Sequence, residues 1–425
     1  MPSWQHDVIW WSVYPLGFTG APVHPDQLGA PTPPEQVSTH VDHRLPQLEK
    51  WLDYLVELGC NGLALGPVFA SVSHGYDTLD YYRIDPRLGD EADFEQLARA
   101  CHERGVKLLL DGVFNHVSSR YPQLLKALAE GPDGSCADMF HIDFGHNPPI
   151  RLNFEGSDDL VVLNHSSASV SRLVTDVMTH WLARGADGWR LDAAYAVDPD
   201  FWAPVLAEVR RQFPEVLVVG EVIHGDYVSI VERSGMDSLT QYELWKACWS
   251  SLESENFFEL AWTLDRHNDV LDHFQPLTFV GNHDVTRIAS KVGADKAVLA
   301  AVLLLTLGGM PSIYYGDEQA FRGTKYERPG GDDEVRPAMP ELPGQLSRLG
   351  EPTHRVYQQL LALRRRHGWL ARAHSHVDEL ANKSISYRLA DSAVPDHWLS
   401  VSLDVTTSPT ARIRDEHGEL FSWQA

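Results

Sequence analysis

Four short apolar segments of this chain each end abruptly in polar side chains. The segments cover 105–110, 188–191, 216–220 and 278–281, and the polar clusters that follow them begin at Asp111, Asp192, Glu221 and Asn282. If these segments are parallel strands, their carboxyl ends lie at one edge of the sheet and the clusters meet there. Stability alone does not explain this recurrence. It predicts a parallel α/β fold with a functional site at the strand ends.

Short β-rich segments alternate with longer amphipathic segments, which favours βα units over a β-sandwich. Eight strands are predicted, near 8–14, 62–65, 107–114, 188–192, 216–221, 236–239, 278–282 and 312–315. Helices are predicted between them at 48–58, 93–104, 170–184, 201–213, 294–306 and 353–366. Eight strands close a (β/α)8 barrel, so the predicted fold class is α/β, a TIM barrel.

The predicted barrel is interrupted once and is followed by a further domain. Residues 118–169 form a long mixed segment after the third strand, which predicts an inserted subdomain and a catalytic barrel made of 1–117 and 170–369. Short alternating runs beyond Leu370 predict a small C-terminal β domain over 370–425. Two further long loops, 20–35 and 322–350, would form walls of a cleft above the strand ends.

Charge and composition exclude several kinds of partner. The formal net charge of −24 in 425 residues, with no basic block, argues against nucleic-acid and anionic-membrane partners and favours a neutral substrate. The first residues lack the features of a secretory signal, and no apolar run is long enough to span a bilayer, which predicts a cytoplasmic protein. The four cysteines have neither metal nor redox spacing and are expected to be free thiols.

The fourth predicted strand carries an arginine and a carboxylate on one face. Arg190 and Asp192 are two residues apart, and alternate side chains of a strand point the same way. A carboxylate beside a guanidinium stays ionised, as a nucleophile must. A purely structural ion pair is the alternative explanation of the same spacing.

Taken in order, the motifs resemble the four signature regions of the α-amylase superfamily, glycoside hydrolase family 13. They are Asp111-Gly-Val-Phe-Asn-His116, Gly188-Trp-Arg-Leu-Asp192, Glu221 and Asn282-His-Asp284. Segments 74–81 and 309–318 resemble two further motifs of that family. The motifs look nearest to neopullulanase, cyclomaltodextrinase and α-glucosidase members.

The resemblance implies a retaining glycosidase with three catalytic carboxyl groups. Asp192 would attack the anomeric carbon, and Glu221 would protonate the departing oxygen and later activate water. Asp284 matches the carboxylate that distorts the sugar through its hydroxyls. The alternatives from the residues alone are that Asp192 only neutralises Arg190 and that Glu221 caps the next helix.

The resemblance also implies a set of substrate-binding residues. Tyr76 matches an aromatic platform under the cleaved sugar, His116 and His283 match residues that bind its hydroxyls, and Arg190 would keep Asp192 oriented and ionised. Asp77 resembles an aspartate that holds the non-reducing end in some exo-acting members, although it could equally order its loop. Three tryptophans after the sixth strand could line outer sugar subsites, while the spacing of Trp245 and Trp249 favours core packing.

The expected activity is hydrolysis of α-glucosidic bonds in short α-glucans such as maltooligosaccharides. Ala193 resembles members that prefer α-1,4 bonds, and 194–196 lacks the Lys-His pair of starch-liquefying α-amylases. The alternatives are a transglycosylase, a sucrose- or trehalose-active member, and a non-catalytic carbohydrate-binding barrel. No cofactor is expected, and the oligomeric state stays open.

Calcium is possible but not favoured. Asn115 matches a calcium ligand of many secreted amylases, and further oxygen ligands could come from Asp133, Asp138, Asp143, Asp158 and Asp159. Asn115 could instead hold the strand end by hydrogen bonds alone.

Overall fold

Eight parallel strands form a closed barrel at the centre of the protein. The structure is a computed structural model that describes residues 2–24, 40–328, 330–391, 394 and 397–425. The barrel strands are β1 (Trp10–Val13), β2 (Gly62–Leu65), β3 (Lys107–Gly112), β4 (Gly188–Leu191), β5 (Leu217–Gly220), β6 (Ser238–Leu239), β7 (Leu277–Phe279) and β8 (Met310–Tyr314). They pair in chain order, β8 pairs with β1, and a bridge between Thr240 and Leu277 joins β6 to β7. The predicted fold class is confirmed.

The register of the strands places the polar clusters at one level. Arg190 of β4 lies opposite Asp111 of β3, and Leu191 lies opposite Gly220 of β5. Asp192 is the next residue after Leu191, and Glu221 is the next residue after Gly220. Because neighbouring parallel strands are about 5 Å apart, their first residues past the sheet are neighbours as well.

Helices cover the outside of the barrel and bury its apolar faces. They are α1 (Pro15–Phe18), α2 (Pro46–Glu49), α3 (Leu52–Leu58), α4 (Glu91–Glu103), α5 (Pro122–Glu130), α6 (Ala168–Leu182), α7 (Pro199–Gln212), α8 (Tyr227–Ser234), α9 (Tyr242–Ser254), α10 (Phe258–Leu271), α11 (Ile288–Lys291), α12 (Ala294–Thr306) and α13 (Glu351–Arg366). Side chains cap several of these helices. The Asp90 carboxylate accepts from the backbone N–H groups of Ala92 and Asp93, which fixes the start of α4.

One predicted helix is wrong in its extent. The segment 48–58 was expected to be continuous, but α2 ends at Glu49 and α3 begins at Leu52. The break allows Trp51 to be fully buried, with its ring stacked on Trp11 at a centroid distance of 6.1 Å. Burial of the large indole therefore outweighs the loss of a continuous helix.

The long segment between β3 and β4 contains α5 and two small antiparallel ladders. The strands His116–Ser118 and Leu160–Val162 pair, and so do Ile142–Asp143 and Ile150–Arg151. Another hairpin, Phe69–Ser71 with Thr78–Ile84, follows β2. The bounds assigned to the barrel and to the insertion stay a prediction. Most of the predicted loop 20–35 lies outside the described residues, which stop at residue 24 and resume at residue 40.

Five antiparallel strands form the C-terminal sheet. They are β9 (His374–Ala381), β10 (Ser384–Ala390), β11 (Trp398–Asp404), β12 (Thr410–Asp415) and β13 (Gly418–Gln424). The sheet is tied to the barrel helices by polar contacts. Asn268 Nδ2 of α10 donates to the Ser375 carbonyl at 2.8 Å, and the hydroxyls of Thr306 and Tyr387 are 2.8 Å apart. A C-terminal β domain was predicted and is confirmed, although its exact bounds stay a prediction.

Two further features concern the whole described chain. No helix in the described part of the chain is both long enough and apolar enough to cross a membrane. The four cysteines are free thiols, and all but Cys136 are buried.

Candidate active site

The polar clusters predicted from the sequence converge at the carboxyl ends of the barrel strands. Asp111 lies in β3, Asp192 and Glu221 directly follow β4 and β5, and His283 and Asp284 lie on the segment after β7. The side chains are removed from solvent, with exposed fractions of 1% for Asp111, 8% for Asp192 and 6% for Glu221. Buried carboxyl groups outside a functional site would be costly, so this concentration marks the candidate active site.

Arg190 is the central cation of this group. Its Nη1 lies 2.7 and 2.6 Å from the two carboxylate oxygens of Asp111, and its Nη2 lies 2.7 Å from Glu221 Oε1. The contact with Asp192 Oδ1 is longer, at 3.3 Å. Arg190 and Asp192 therefore share one face, as the spacing predicts, but the closest partners of Arg190 are carboxylates from the two neighbouring strands.

The surroundings of Asp192 favour its neutral form in the unliganded protein. Burial, reinforced by the charge of Glu221, holds the pKa of Asp192 well above its ordinary value, and Arg190 opposes this only in part. Burial also raises the pKa of Asp111, against the influence of Arg190. Both shifts disfavour the charged forms of these two carboxyl groups in the buried cluster.

Both oxygens of Glu221 are held by donors. The backbone N–H of Ala193 donates to Oε2 at 2.9 Å, and the Tyr242 hydroxyl donates to Oε1 at 3.1 Å. Ala193 adopts the left-handed conformation with φ 46°, which a residue with a Cβ rarely does. The carboxyl group is consequently fixed by the backbone that follows Asp192 as well as by a side chain on α9.

Asp284 is held by a guanidinium on one side and an imidazole on the other. Arg336 Nη2 lies 2.8 Å from Oδ1, and His283 Nε2 lies 3.0 Å from Oδ2. Burial opposes ionisation, but the charges of His283, Arg336 and Arg190 outweigh it and hold the pKa of Asp284 well below its ordinary value. Asp284 is thus an ionised carboxylate.

Aromatic rings and histidines surround these carboxyl groups. The ring of His283 is nearly parallel to Tyr14 and Tyr76, and its Nε2 contacts the Tyr76 hydroxyl, which also donates to Asp111 Oδ2 at 3.1 Å. His116 Nε2 lies 3.1 Å from the Tyr76 carbonyl, and burial lowers the pKa of His116 to about 4. His116 is therefore neutral near pH 7, and its single N–H lies on Nε2, where it donates to the Tyr76 carbonyl.

Two further predicted residues, Asp77 and Asn115, have local partners. Asp77 accepts from the Ser73 backbone N–H at 3.1 Å and from its hydroxyl at 2.6 Å, an arrangement that orders the loop. The side-chain amide of Asn115 lies 3.0 Å from His116 Nδ1. Neither contact tests a role in binding a sugar or an ion, so both roles stay predictions.

The aspartates of the insertion do not converge on Asn115 through their observed contacts. Asp138 accepts from the Ser167 hydroxyl at 2.6 Å, Asp143 Oδ2 lies 3.1 Å from His146 Nδ1, and Asp158 accepts from Asn153 at 2.9 Å. These three groups have separate partners, and none of these contacts involves Asn115. The expectation that calcium is not tightly bound there stays a prediction.

Within the described ranges, one trio of His, Cys, Asp or Glu side chains comes close enough to hold a metal ion. It consists of His43, Asp90 and Asp93. Asp90 and Asp93 form the capping box of α4, and His43 Nδ1 bonds to Asp93 at 2.6 Å. These contacts account for the cluster without an ion.

Two cavities open beside Asp284. The larger, of about 1120 Å³, is bordered by Tyr14, Tyr76 and Arg336 and by the segments before residue 24 and after residue 330. The smaller, of about 250 Å³, lies on the side of α9. A narrow space of about 60 Å³ extends into the barrel mouth along Arg190 and Glu221.

Sequence reasoning missed three residues of this constellation. Asp111 begins a recognised motif but was not assigned a role, although its place at a strand end was a usable signal. Tyr242 and Arg336 gave no local signal, because one begins a helix and the other lies in the long loop 322–350. Their proximity to Glu221 and Asp284 depends on the tertiary fold.

Comparison with known proteins agrees with this geometry. Residues 47–348 match the family described as the α-amylase catalytic domain. A cyclomaltodextrinase from Geobacillus thermopakistaniensis is 31% identical over 87% of this chain and 64% of its own length. Neopullulanase 2 from Thermoactinomyces vulgaris is 30% identical over 90% of this chain and 67% of its own length.

Solved structures share the fold over nearly the whole chain. The cyclic α-maltosyl-(1→6)-maltose hydrolase from Arthrobacter globiformis has a TM-score of 0.81 at 23% identity and covers 100% of this chain and 99% of its own. The chain spans less than two thirds of the length of several curated relatives, for example 57% of the intracellular maltogenic amylase of Bacillus subtilis at 28% identity and 76% coverage of this chain. The match of the family model over most of the barrel decides the assignment. This chain belongs to the α-amylase family of glycoside hydrolases.

Proposed function

We propose that this protein is a retaining α-glycosidase that hydrolyses α-glucosidic bonds of short α-glucans. The observation that carries the proposal is the register of β4 and β5. It sets Leu191 opposite Gly220 and so brings Asp192 and Glu221 to adjacent strand ends, where Arg190 contacts both. A retaining glycosidase requires two neighbouring carboxyl groups, one as the nucleophile and one as the general acid and base.

Each carboxyl group has a role that fits its surroundings. Asp192, once ionised, attacks the anomeric carbon, and the bond to the leaving oxygen breaks as Glu221 donates its proton to that oxygen. Glu221 then removes a proton from water, and the water oxygen displaces Asp192 from the sugar.

The remaining polar groups bind the sugar ring. Asp284 stays ionised and lies at the cleft, where it accepts hydrogen bonds from ring hydroxyls that strengthen as positive charge develops. His116 and His283 bind hydroxyls of the same ring, and Tyr76 offers a ring face to sugar C–H groups. Asp77 follows Tyr76 in the same loop and would hold the non-reducing end of the substrate.

Short neutral α-glucans are the substrate class that best fits. The relatives are named cyclomaltodextrinase, neopullulanase and maltogenic amylase, and the net charge of −24 disfavours anionic substrates. We favour α-1,4 bonds because of Ala193. A cytoplasmic location is proposed on the same basis, since one relative is named an intracellular amylase.

The test is chromatography of the products formed from maltooligosaccharides, cyclodextrin, pullulan, isomaltose, sucrose and trehalose, with the anomeric form read at early times. Release of α-anomeric sugar by the wild type, lost in Asp192→Asn, is expected. Products longer than the substrate would assign transglycosylation instead. No turnover of any of these sugars would overturn the proposal in favour of a carbohydrate-binding role.

A further inference from the structure

A cavity beside the candidate active site is walled by two tryptophans. This tryptophan cavity has a volume of about 250 Å³ and is bordered by Trp245, Trp249, Asp284, Lys291, Lys325 and Glu327. It lies between α9, the segment after β7 and the loop after β8. Its volume is just below the range of about 300–1,000 Å³ that is typical of pockets for drug-sized ligands, so it suits a single ring.

Core packing accounts for only part of the surface of the Trp245 and Trp249 side chains. Trp245 stacks on Phe279 with ring centroids 6.1 Å apart, and Trp249 packs partly against the core, as their spacing of four predicts. Both side chains nevertheless keep part of their surface exposed and border the cavity, where Lys291 Nζ lies 4.2 Å from the centroid of the Trp249 ring. Exposed aromatic surface at a concave site is the chemistry that packs against the C–H faces of a sugar.

The tryptophan cavity is connected to the catalytic groups. Asp284 borders both this cavity and the larger cleft. Trp245 contacts the Tyr242 ring edge-on at 5.6 Å, and the Tyr242 hydroxyl donates to Glu221. A ring in the cavity would therefore be a direct neighbour of a sugar held at the barrel mouth.

The charges around the cavity favour a neutral occupant. Two ammonium groups, Lys291 and Lys325, and two carboxyl groups, Asp284 and Glu327, border it. Lys291 is also paired with Glu253 at 3.1 Å. A balanced polar rim supplies hydrogen bonds to hydroxyls without selecting an ion.

We propose that the tryptophan cavity binds one glucopyranosyl ring of the substrate, next to the ring at the barrel mouth. This inference rests on the proposed function, because it concerns the same substrate. It assigns Trp245 and Trp249 to substrate recognition, together with Lys325 and Glu327.

The first test observes binding directly. The full-length Asp192→Asn protein is labelled with 5-fluorotryptophan and titrated with maltotetraose by ¹⁹F NMR, with resonances assigned by Trp245→Phe, Trp249→Phe and Trp262→Phe. The Trp245 and Trp249 resonances should shift saturably. The Trp262 resonance is the control and should not move, because that indole lies on α10, is 62% exposed and is outside the cavity.

The second test separates recognition from structure. Trp249→Ala should raise KM for maltotetraose about three- to tenfold, as expected for one lost aromatic contact. Its kcat for maltotetraose should stay near the wild-type value. Its kcat and KM for α-glucosyl fluoride, a single-ring substrate, should also stay near wild type. Trp262→Ala should have near-wild-type kinetics with both substrates. An equal loss on both substrates would assign a structural role to Trp249 and overturn the inference.

The two proposals fail in different ways. Hydrolysis of maltotetraose by the wild type, with unmoved Trp245 and Trp249 resonances, overturns the tryptophan cavity and leaves the proposed function intact. Saturable shifts at these resonances without any hydrolysis by the wild type overturn the proposed function and leave a sugar-binding cavity. Absence of both shifts and hydrolysis overturns both.

Discussion

The backbone N–H of Ala193 donates to Oε2 of Glu221 at 2.9 Å, so the residue that follows Asp192 also holds the second carboxyl group. The left-handed backbone at Ala193, with φ 46°, belongs to the turn that makes this contact. Asp192 and Glu221 are thereby coupled through a single turn. A change in one of them should disturb the chemistry of the other while the barrel stays folded.

Glu221→Gln should remove acid and base catalysis while it preserves shape. We expect kcat to fall by about 10²–10⁴-fold, since no proton is available for the leaving oxygen. With α-glucosyl fluoride, which needs little acid help, added azide should restore turnover and give the α-glucosyl azide. In the matched variant Asp192→Ala, azide should displace fluoride directly from the bound α-glucosyl fluoride and give the β-glucosyl azide. The two azides are separated by chromatography. If Asp192 were the acid and base and Glu221 the nucleophile, Glu221→Gln would give the β-azide and Asp192→Ala the α-azide.

Much of the barrel follows from periodicity alone. The strand Gly62–Leu65 and the helix Ala294–Thr306 have the predicted bounds, because apolar runs and their flanking polar residues mark both ends. The sixth strand, Ser238–Leu239, is only two residues long and gave a weak signal. The break at Trp51 could not be predicted, since it depends on a stacking partner forty residues away.

Asp111→Asn should impair activity without direct contact with the reacting atoms. Asp111 is a positioning residue, because it receives two short contacts from Arg190 and the hydroxyl of Tyr76. An amide in its place keeps one acceptor oxygen but presents its NH2 group to a donor, so at least one of these contacts is lost. We expect kcat to fall more than about tenfold, with a lower melting temperature, because a buried ion pair loses one partner. Asp111→Glu, which keeps the charge, should retain more activity; equal loss in both variants would contradict a charge-based role.

Arg336→Met should change the pH dependence of activity. Arg336 is one of the charges that hold the pKa of Asp284 below its ordinary value despite burial. Loss of the cation raises that pKa, so Asp284 becomes protonated at a higher pH and the acidic limb of kcat/KM moves upward. Arg336→Lys retains a charge and should move the limb less. An unchanged acidic limb in both variants would show that Arg336 does not control Asp284.

The site illustrates the same division between sequence and fold. Asp192, Glu221 and Asp284 could be predicted because each stands at or just after a strand end within a recognisable motif. Arg336 and Tyr242 could not, because a long loop and a helix start give no pattern that relates them to a carboxylate. The closest partners of Arg190 were also missed, since the strand spacing identifies Asp192 but not the residues across the sheet.

Tyr195→Phe should loosen the inserted segment over the active site. The Tyr195 hydroxyl donates to Glu155 Oε1 at 2.9 Å, which joins the turn after β4 to the insertion. Glu155 has φ 50°, a conformation that needs support from its surroundings. We expect faster amide hydrogen exchange at 153–157 by mass spectrometry, with little change in melting temperature. Glu155→Gln keeps an acceptor and is the control; equal exchange in wild type and Tyr195→Phe would contradict the prediction.

His267 should make folding stability depend on pH. Burial lowers its pKa from 6.5 to about 4, and its Nε2 lies 2.9 Å from the Gly308 carbonyl, so the folded protein holds the neutral ring. Between pH 6.5 and 4 the unfolded chain binds a proton that the folded chain does not, and stability therefore falls as the pH falls. The expected loss from this group is on the order of 3 kcal/mol. Urea unfolding across this window should show a steeper decline for the wild type than for His267→Gln, which keeps a side-chain donor but does not titrate. The buried His116 contributes in the same window in both proteins, so the difference between their slopes isolates His267.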